Sequence, residues 1–366
     1  MPSDKDSSII LVGAGVFGLS LAHELSRRGY KNITILDRFL PPVPDGSSVD
    51  ISRVVRPDYT DPLYLDMALR AQSEWKQAYP DLYHESGILF VSESGGHPYT
   101  TASRELLETR GFQLQVHEDA ESIAKTYPDF RKNFGGLAGY CNPRGTWVDA
   151  DRAVRRLAII CSKAGVSFIT GHRGTVVALI QDEGRLAGVR TADGAELRVD
   201  QVILASGGWT ARLIDMSSNS VSTCQPIGFI QLTDDEYERF KHVPITQNHQ
   251  TGFFVFPPTP DTRLLKFARH GHGWETRVAV ENGLAAGKEV SAPSLIGKSD
   301  ASLYLPREAE GSFRENLRRF FPPSISEREF CKRRLCWYTD STRGDFIVDH
   351  HPQLDNLFLA TEGSGQ

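Results

Sequence analysis

Apolar and polar residues change rhythm repeatedly along the 366-residue chain, and each change marks an element. Ile9 to Val12 is a continuous apolar run, as expected of a strand buried on both faces. Leu19, Ala22 and Leu25 then recur at helical spacing until Gly29, and "NITILDR" predicts a second strand ending at Asp37. Further helices are expected at "YLDMALRAQSEWKQAY" and "ADRAVRRLAIICSKAG". From Gly165 to Trp209, short runs broken by turn signals such as Asp193-Gly194 predict three or four strands of a meander, then a strand entering Gly207-Gly208. "GILFVS", "GFFVFPP" and "RLLKFARH" add strand-like runs, and "NLFLATEGSGQ" is a last strand running into Gly363, Ser364 and Gly365.

The first turn carries chemistry. Gly13, Gly15 and Gly18 form GxGxxG between a strand and a helix, with Val16 and Phe17 inside the motif. The first glycine permits the tight turn, the second lets backbone approach a pyrophosphate, and the third lets helix and strand pack closely. Asp37 follows at about the twenty-residue interval expected for ribose recognition. This predicts a dinucleotide site without separating FAD from NAD. The meander and the glycine-ended final strand favour FAD, because such loops bring backbone N–H groups near a flavin. Arg38 after Asp37, Val176 in the meander, and Ser206, Gly207 and Trp209 beyond its last strand are expected to meet the same cofactor.

The fold class is therefore α/β (α+β), a Rossmann-like FAD-binding domain of the glutathione-reductase type interleaved with a mixed-sheet substrate domain. Residues 1–86, 147–216 and 340–366 read as the discontinuous FAD-binding domain, and 87–146 with 217–339 as the substrate domain. Composition agrees, with 40% hydrophobic and 24% charged residues. A net charge of −5 without a dense basic block argues against a nucleic-acid partner. No apolar run reaches the roughly eighteen residues of a membrane span, and the start lacks the apolar stretch of a secretory signal. Cys141, Cys161, Cys224, Cys331 and Cys336 are scattered without a CxxC pair, unlike a disulfide framework or a zinc site. An intracellular protein with reduced thiols and no metal is expected.

In "RRLCWYTD", strand alternation puts Cys336 and Tyr338 on one face, with Arg334 beside them to favour a thiolate. "GAGVFGLS", "DGSSVDISRVVRPDY", "LLKFARH", "LCWYTDSTRGDFIVDHHP" and "LFLATEGSG" together resemble the monomeric sarcosine oxidase group, which includes fructosyl amino acid oxidases (amadoriases) and fungal pipecolate and saccharopine oxidases. The resemblance runs from Ile9 to the last residue. It implies oxidation of the C–N bond of a secondary amine bearing a carboxylate, with O2 reduced to H2O2. It also implies that Cys336 is bonded to the 8α-methyl carbon of the flavin.

By the same resemblance Lys266 and His270 lie over the flavin, the lysine aiding O2 reduction. A fixed cation there stabilises the negative charge that develops on oxygen. Arg56 would hold the substrate carboxylate through paired hydrogen bonds, with Arg53 nearer the flavin and Ser47 and Ser48 near the cofactor. Tyr338 would line the substrate cavity, and Phe253 and Phe254 fall where relatives carry cavity-lining aromatics. A tyrosine seen there in sarcosine oxidases is absent, which weakens a claim for sarcosine itself. Expected partners are a small amine or amino acid and O2, acting on a monomer in the cytoplasm or peroxisome. Relatives continue past this point with a further lysine and a helix, whereas the sequence ends at Gln366. That leaves a weakly active or non-catalytic flavin-binding protein as the alternative, beside a nicotinamide-dependent dehydrogenase or flavin monooxygenase.

Overall fold

The computed structural model describes residues 2, 4–93, 96–130, 134–216, 219–294 and 305–363. Two large sheets organise it. In the first, the strands lie in the order Ile347–His350, Leu357–Thr361, Gln201–Leu204, Ser8–Val12, Asn32–Leu36, Ser167–Ile169. Neighbours run parallel, except that Ile347–His350 is antiparallel to Leu357–Thr361. Ser8–Val12 sits inside this sheet with Ile9 through Val12 buried, which accounts for its unbroken apolar run.

Each face has its own cover. Leu19, Ala22 and Leu25 of helix Val16–Arg27 pack with Val154 and Cys161 of helix Ala150–Lys163 on one side. On the other, Leu179, Leu186 and Val189 of the meander meet Ile10, Val202 and Leu204. The meander itself is a separate antiparallel sheet of Val176–Asp182, Arg185–Thr191 and Glu196–Arg198. Its expected first strand, Ser167–Ile169, instead extends the parallel sheet beside Asn32–Leu36.

The second sheet is built on the long strand Ser220–Gln231. Along one edge it pairs with Lys332–Ser341, and along the other with Leu264–Arg269 and then Trp274–Glu275. From Leu264–Arg269 the order continues through Phe253–Val255, Ile245–Asn248, Ile88–Glu93, Leu137–Asn142 and Gln115–His117. Side chains alternate, so the sheet has two characters. One face carries Phe253, Leu265 and Phe267 against Phe313, Leu317 and Phe320 of helix Arg307–Phe320. Gly228 permits this packing, because a Cβ there would lie 2.3 Å from the Phe267 ring. The opposite face presents Phe254, Lys266, Ala268, Arg334, Cys336 and Tyr338, as the register of the paired strands requires. Phe253 thus belongs to the helix-packed core, and of the two phenylalanines expected to line a cavity, Phe254 faces the site. Residues 46–53 lie across that face, joined to it through Lys266, Arg334, Cys336 and Trp337.

Candidate functional site

The glycine loop opens a cavity of about 1140 Å3, at the upper end of the ~300–1,000 Å3 usual for small-molecule sites. Gly13 has φ +112°, and a Cβ there would lie 2.4 Å from the Ala205 carbonyl oxygen. At Gly18 it would lie 1.9 Å from the Gly13 oxygen, so this glycine holds the helix under the loop and does not line the wall. Helix Val16–Arg27 starts at Gly15 with no side-chain cap, leaving first-turn donors for a ligand. Val16 N–H is taken by Ser48 Oγ at 2.9 Å. Asp37 accepts the Ala14 N–H at 2.7 Å and that of Arg38 at 2.6 Å, and burial raises its carboxyl above the ordinary value.

Arg38 makes a paired contact with Asp45 at 2.6 and 2.8 Å and lies 4.4 Å over the Trp209 ring. Trp209 Nε1 and Arg212 Nε, in the same wall, are buried donors without a hydrogen-bond partner. Buried polar groups are almost always paired, so these two are exceptions in the wall. Val16, Phe17, Val176, Ser206, Gly207 and Gly363 complete the stretch of wall expected of them. Ser364 and Gly365 lie outside the described residues. A cradle closed to side chains and a large cavity beside it fit FAD.

At the other end of the cavity, charges are knotted together. Arg53 Nη2 donates to Ser47 O at 2.7 Å and approaches Cys336 Sγ at 3.3 Å. Its Nη1 lies 3.1 Å from Asp50 Oδ2, and the same oxygen lies 2.8 Å from Lys266 Nζ. Lys266 also donates to Ser52 O at 2.5 Å and sits 4.6 Å over the Phe256 ring. Burial lowers the Lys266 pKa to about 7, Asp50 opposing this while Arg53 and Arg334 add to it. Burial works against the Asp50 carboxylate too, yet Lys266, Arg53 and Arg334 hold its pKa down at about 2.

The basic neighbour of Cys336 is therefore Arg53 and not Arg334. Two residues of strand advance Arg334 by roughly 7 Å, and its guanidinium is engaged by Val49 O at 2.6 Å and Gly46 O at 3.1 Å. Ser47 closes the knot by donating its hydroxyl to Trp337 O.

Arg56 belongs to a third group. Its Nη1 donates to Tyr99 Oη at 3.1 Å and to Asp58 O, and the guanidinium lies over Tyr59 at 4.8 Å and Phe90 at 5.6 Å. His249 stacks on Tyr99 at 5.2 Å, and its Nε2 is buried without a partner. Burial, then the Arg56 charge, push His249 down to about 3, so it is neutral. His270 feels the same two influences and lies 5.3 Å from the Tyr338 ring. Cys336, Tyr338 and Arg53 line the large cavity, while Lys266, Arg56 and His270 stand behind its wall.

Several of these residues carry no sequence signal. Asp50 lies within a recognised segment but looks like any loop acid. Tyr99 and His249 are ordinary aromatic residues until the fold stacks them. Glu362 is 1% exposed at φ +60°, accepting from Ser220 Oγ at 2.8 Å and Thr339 Oγ1 at 2.7 Å. A non-glycine residue in the left-handed region cannot be read from composition.

The cradle on a parallel sheet, with a charged second sheet facing it, defines a flavin-dependent oxidoreductase. The chain belongs to the FAD dependent oxidoreductase family, which matches residues 8–366. It is 30% identical over 381 residues to L-saccharopine oxidase of Schizosaccharomyces pombe, spanning 98% of this chain and 86% of the relative. Monomeric sarcosine oxidase of an Arthrobacter species is 23% identical over 384 residues, spanning 100% and 89%. Among solved structures, fructosyl peptide oxidase from E. terrenum superposes with a TM-score of 0.90 at 26% identity, covering 100% of this chain and 86% of that one. Amadoriase I from Aspergillus fumigatus gives 0.86 at 26%, covering 100% and 84%. No described helix is long and apolar enough to cross a membrane. No group of three or more His, Cys, Asp or Glu side chains among the described residues is arranged to hold a metal.

Proposed function

We propose that this protein oxidises the C–N bond of a secondary amine bearing a carboxylate, an N-alkyl, cyclic or glycated amino acid, with FAD held covalently at Cys336 and electrons passed to O2 to give H2O2. The carrying observation is that Arg53 lies 3.3 Å from Cys336 Sγ, in the wall of the glycine-cradled cavity. The relatives support the substrate class, being oxidases of saccharopine and sarcosine by name.

FAD, when bound, supplies the two-electron acceptor. Gly13, Gly15 and the free N–H groups of the following helix hold its pyrophosphate, and Asp37 its ribose. Cys336 Sγ is the attachment atom, with Arg53 placed to pair with negative charge on it. Arg56 orients the substrate carboxylate; of its five donors, those on Nη1 are engaged by Tyr99 and Asp58. Tyr338 in the cavity wall, backed by His270 against its ring, shields the reacting carbon from water. Lys266, when protonated, sets a positive charge beside the oxygen-reacting face. The first sheet then serves the nucleotide and the second the substrate. The protein works as a monomer in the cytoplasm or peroxisome, in keeping with the monomeric and peroxisomal sarcosine oxidases among its relatives.

The test is the visible spectrum before and after acid precipitation. Yellow colour is expected to stay with the precipitated polypeptide and to be released by Cys336→Ala. Flavin that washes free of well-folded wild-type protein would remove Cys336 from this role.

A further inference from the structure

Asp50 is fixed before any cation reaches it. Its backbone carbonyl accepts the Asp151 N–H at 2.9 Å, tying the loop to the start of helix Ala150–Lys163. Its Oδ1 accepts the Ile51 N–H at 2.9 Å, which aims Oδ2 away from its own backbone. Oδ2 then meets Lys266 Nζ at 2.8 Å and Arg53 Nη1 at 3.1 Å. The side chains of Lys266 and Asp50 are each 1% exposed, so water cannot substitute for either. An ammonium left alone in such a place sheds its proton instead of staying charged. Arg53 is held from two sides, by Asp50 and by Ser47 O, and its remaining reach is toward Cys336 Sγ.

We propose that Asp50 is a positioning residue: its Oδ2 keeps Lys266 protonated in a dry site and fixes Arg53 against Cys336, so that one buried carboxylate serves both the oxygen-side cation and the flavin-attachment thiol. This rests on the roles given above to Lys266 and Cys336. The charged and titratable groups facing the carboxylate are Lys266 from strand Leu264–Arg269, Arg53 from its own segment, and Arg334, Cys336 and Tyr338 from strand Lys332–Ser341. Three cations share one anion, so removing that anion acts most on the group that can lose a proton. The arginines cannot, which leaves Lys266.

The full-length holoenzyme, labelled with 13C at lysine, reports this directly. The Lys266 Cε resonance, assigned by its loss in Lys266→Met, should titrate near pH 7, as expected of the native pair. In Asp50→Asn the midpoint should fall by about one pH unit or more. The rate of the O2 reaction should then recover on acidification, following the lysine. Flavin retained after acid precipitation should be lost in Asp50→Asn and regained in Asp50→Glu.

If Asp50→Asn does not fold, Arg334→Met gives the opposite reading, because removing a competing cation should raise the Lys266 midpoint. A Lys266 midpoint unmoved in these variants, or flavin fully retained in Asp50→Asn, overturns the proposal. A midpoint that moves while the O2 rate ignores it overturns instead the role of Lys266 in oxygen chemistry.

Discussion

The glycine cradle and the charged knot stand at two ends of one cavity and are built on opposite principles. The cradle works by missing atoms: Gly13 and Gly18 leave no room for a Cβ, and the helix that follows starts with no side-chain cap. The knot works by crowding: Lys266, Asp50, Arg53 and Cys336 converge from three segments, with Ser52 and Lys266 separated by 214 positions and Arg53 and Cys336 by 283. Burying charges is unfavourable unless each finds its partner. A backbone site tolerates little beyond its glycines, whereas a buried charge site depends on every member of the set.

The cradle gives the largest expected effect. Gly18→Ala places a Cβ 1.9 Å from the Gly13 carbonyl oxygen, and neither backbone can retreat without breaking the loop. We expect a loss of ~3 kcal/mol or more, the upper end of overpacking penalties, together with loss of FAD uptake. Urea unfolding and flavin content measure both. An unchanged midpoint with full flavin would mean that the loop is softer than its geometry shows.

The same contrast explains what could be read in advance. Ile9–Val12, Gly13–Gly18 and Asp37 announce themselves because their spacing is local and the backbone does the work. Cys336 and Lys266 are reached through resemblance; alternation puts Cys336 and Tyr338 on one face, and only the register of the paired strands adds Lys266 to it. Alternation could also have separated Phe253 from Phe254, since adjacent strand residues point to opposite faces. Asp50 was not legible: its meaning comes from cations contributed by other strands. The exchange of Arg334 for Arg53 beside the thiol has the same origin, because reach across a sheet face depends on a loop that lies over it.

Lys266 sharpens the comparison through pH. Nζ is charged below about 7 and loses its proton as pH rises through that value. The O2 half-reaction should therefore slow with rising pH, while reduction by substrate quickens as the amine becomes neutral. Lys266→Met should slow the O2 step by about 10²–10³, the scale for removing one preorganised electrostatic contact, and flatten its pH dependence. Stopped-flow traces of both half-reactions test this, and two unchanged rates would take Lys266 out of the chemistry.

The smallest effect compares two buried carboxylates directly. Asp50 faces cations and is held at about 2. Asp58 is also fully buried, but its side chain receives Asn142 Nδ2 at 2.9 Å and Tyr140 Oη at 3.2 Å, neutral donors both. Burial consequently pushes Asp58 up to about 6, against the pull of Arg56. A carboxyl whose pKa is raised by folding stabilises the fold fully below its unfolded value of about 3.9, and that contribution is lost as pH rises through the folded value. The rise from that ordinary value to about 6 is about two units, at most ~3 kcal/mol. Asp58→Asn removes this slope, because the amide carries no charge at any pH and can still accept from Asn142. Relative to wild type, the variant should therefore gain urea stability between pH 4 and pH 7, with the gain complete above the Asp58 midpoint. A stability difference that stays constant across that window would show that Asp58 is ionised throughout, and that burial does not raise its carboxyl.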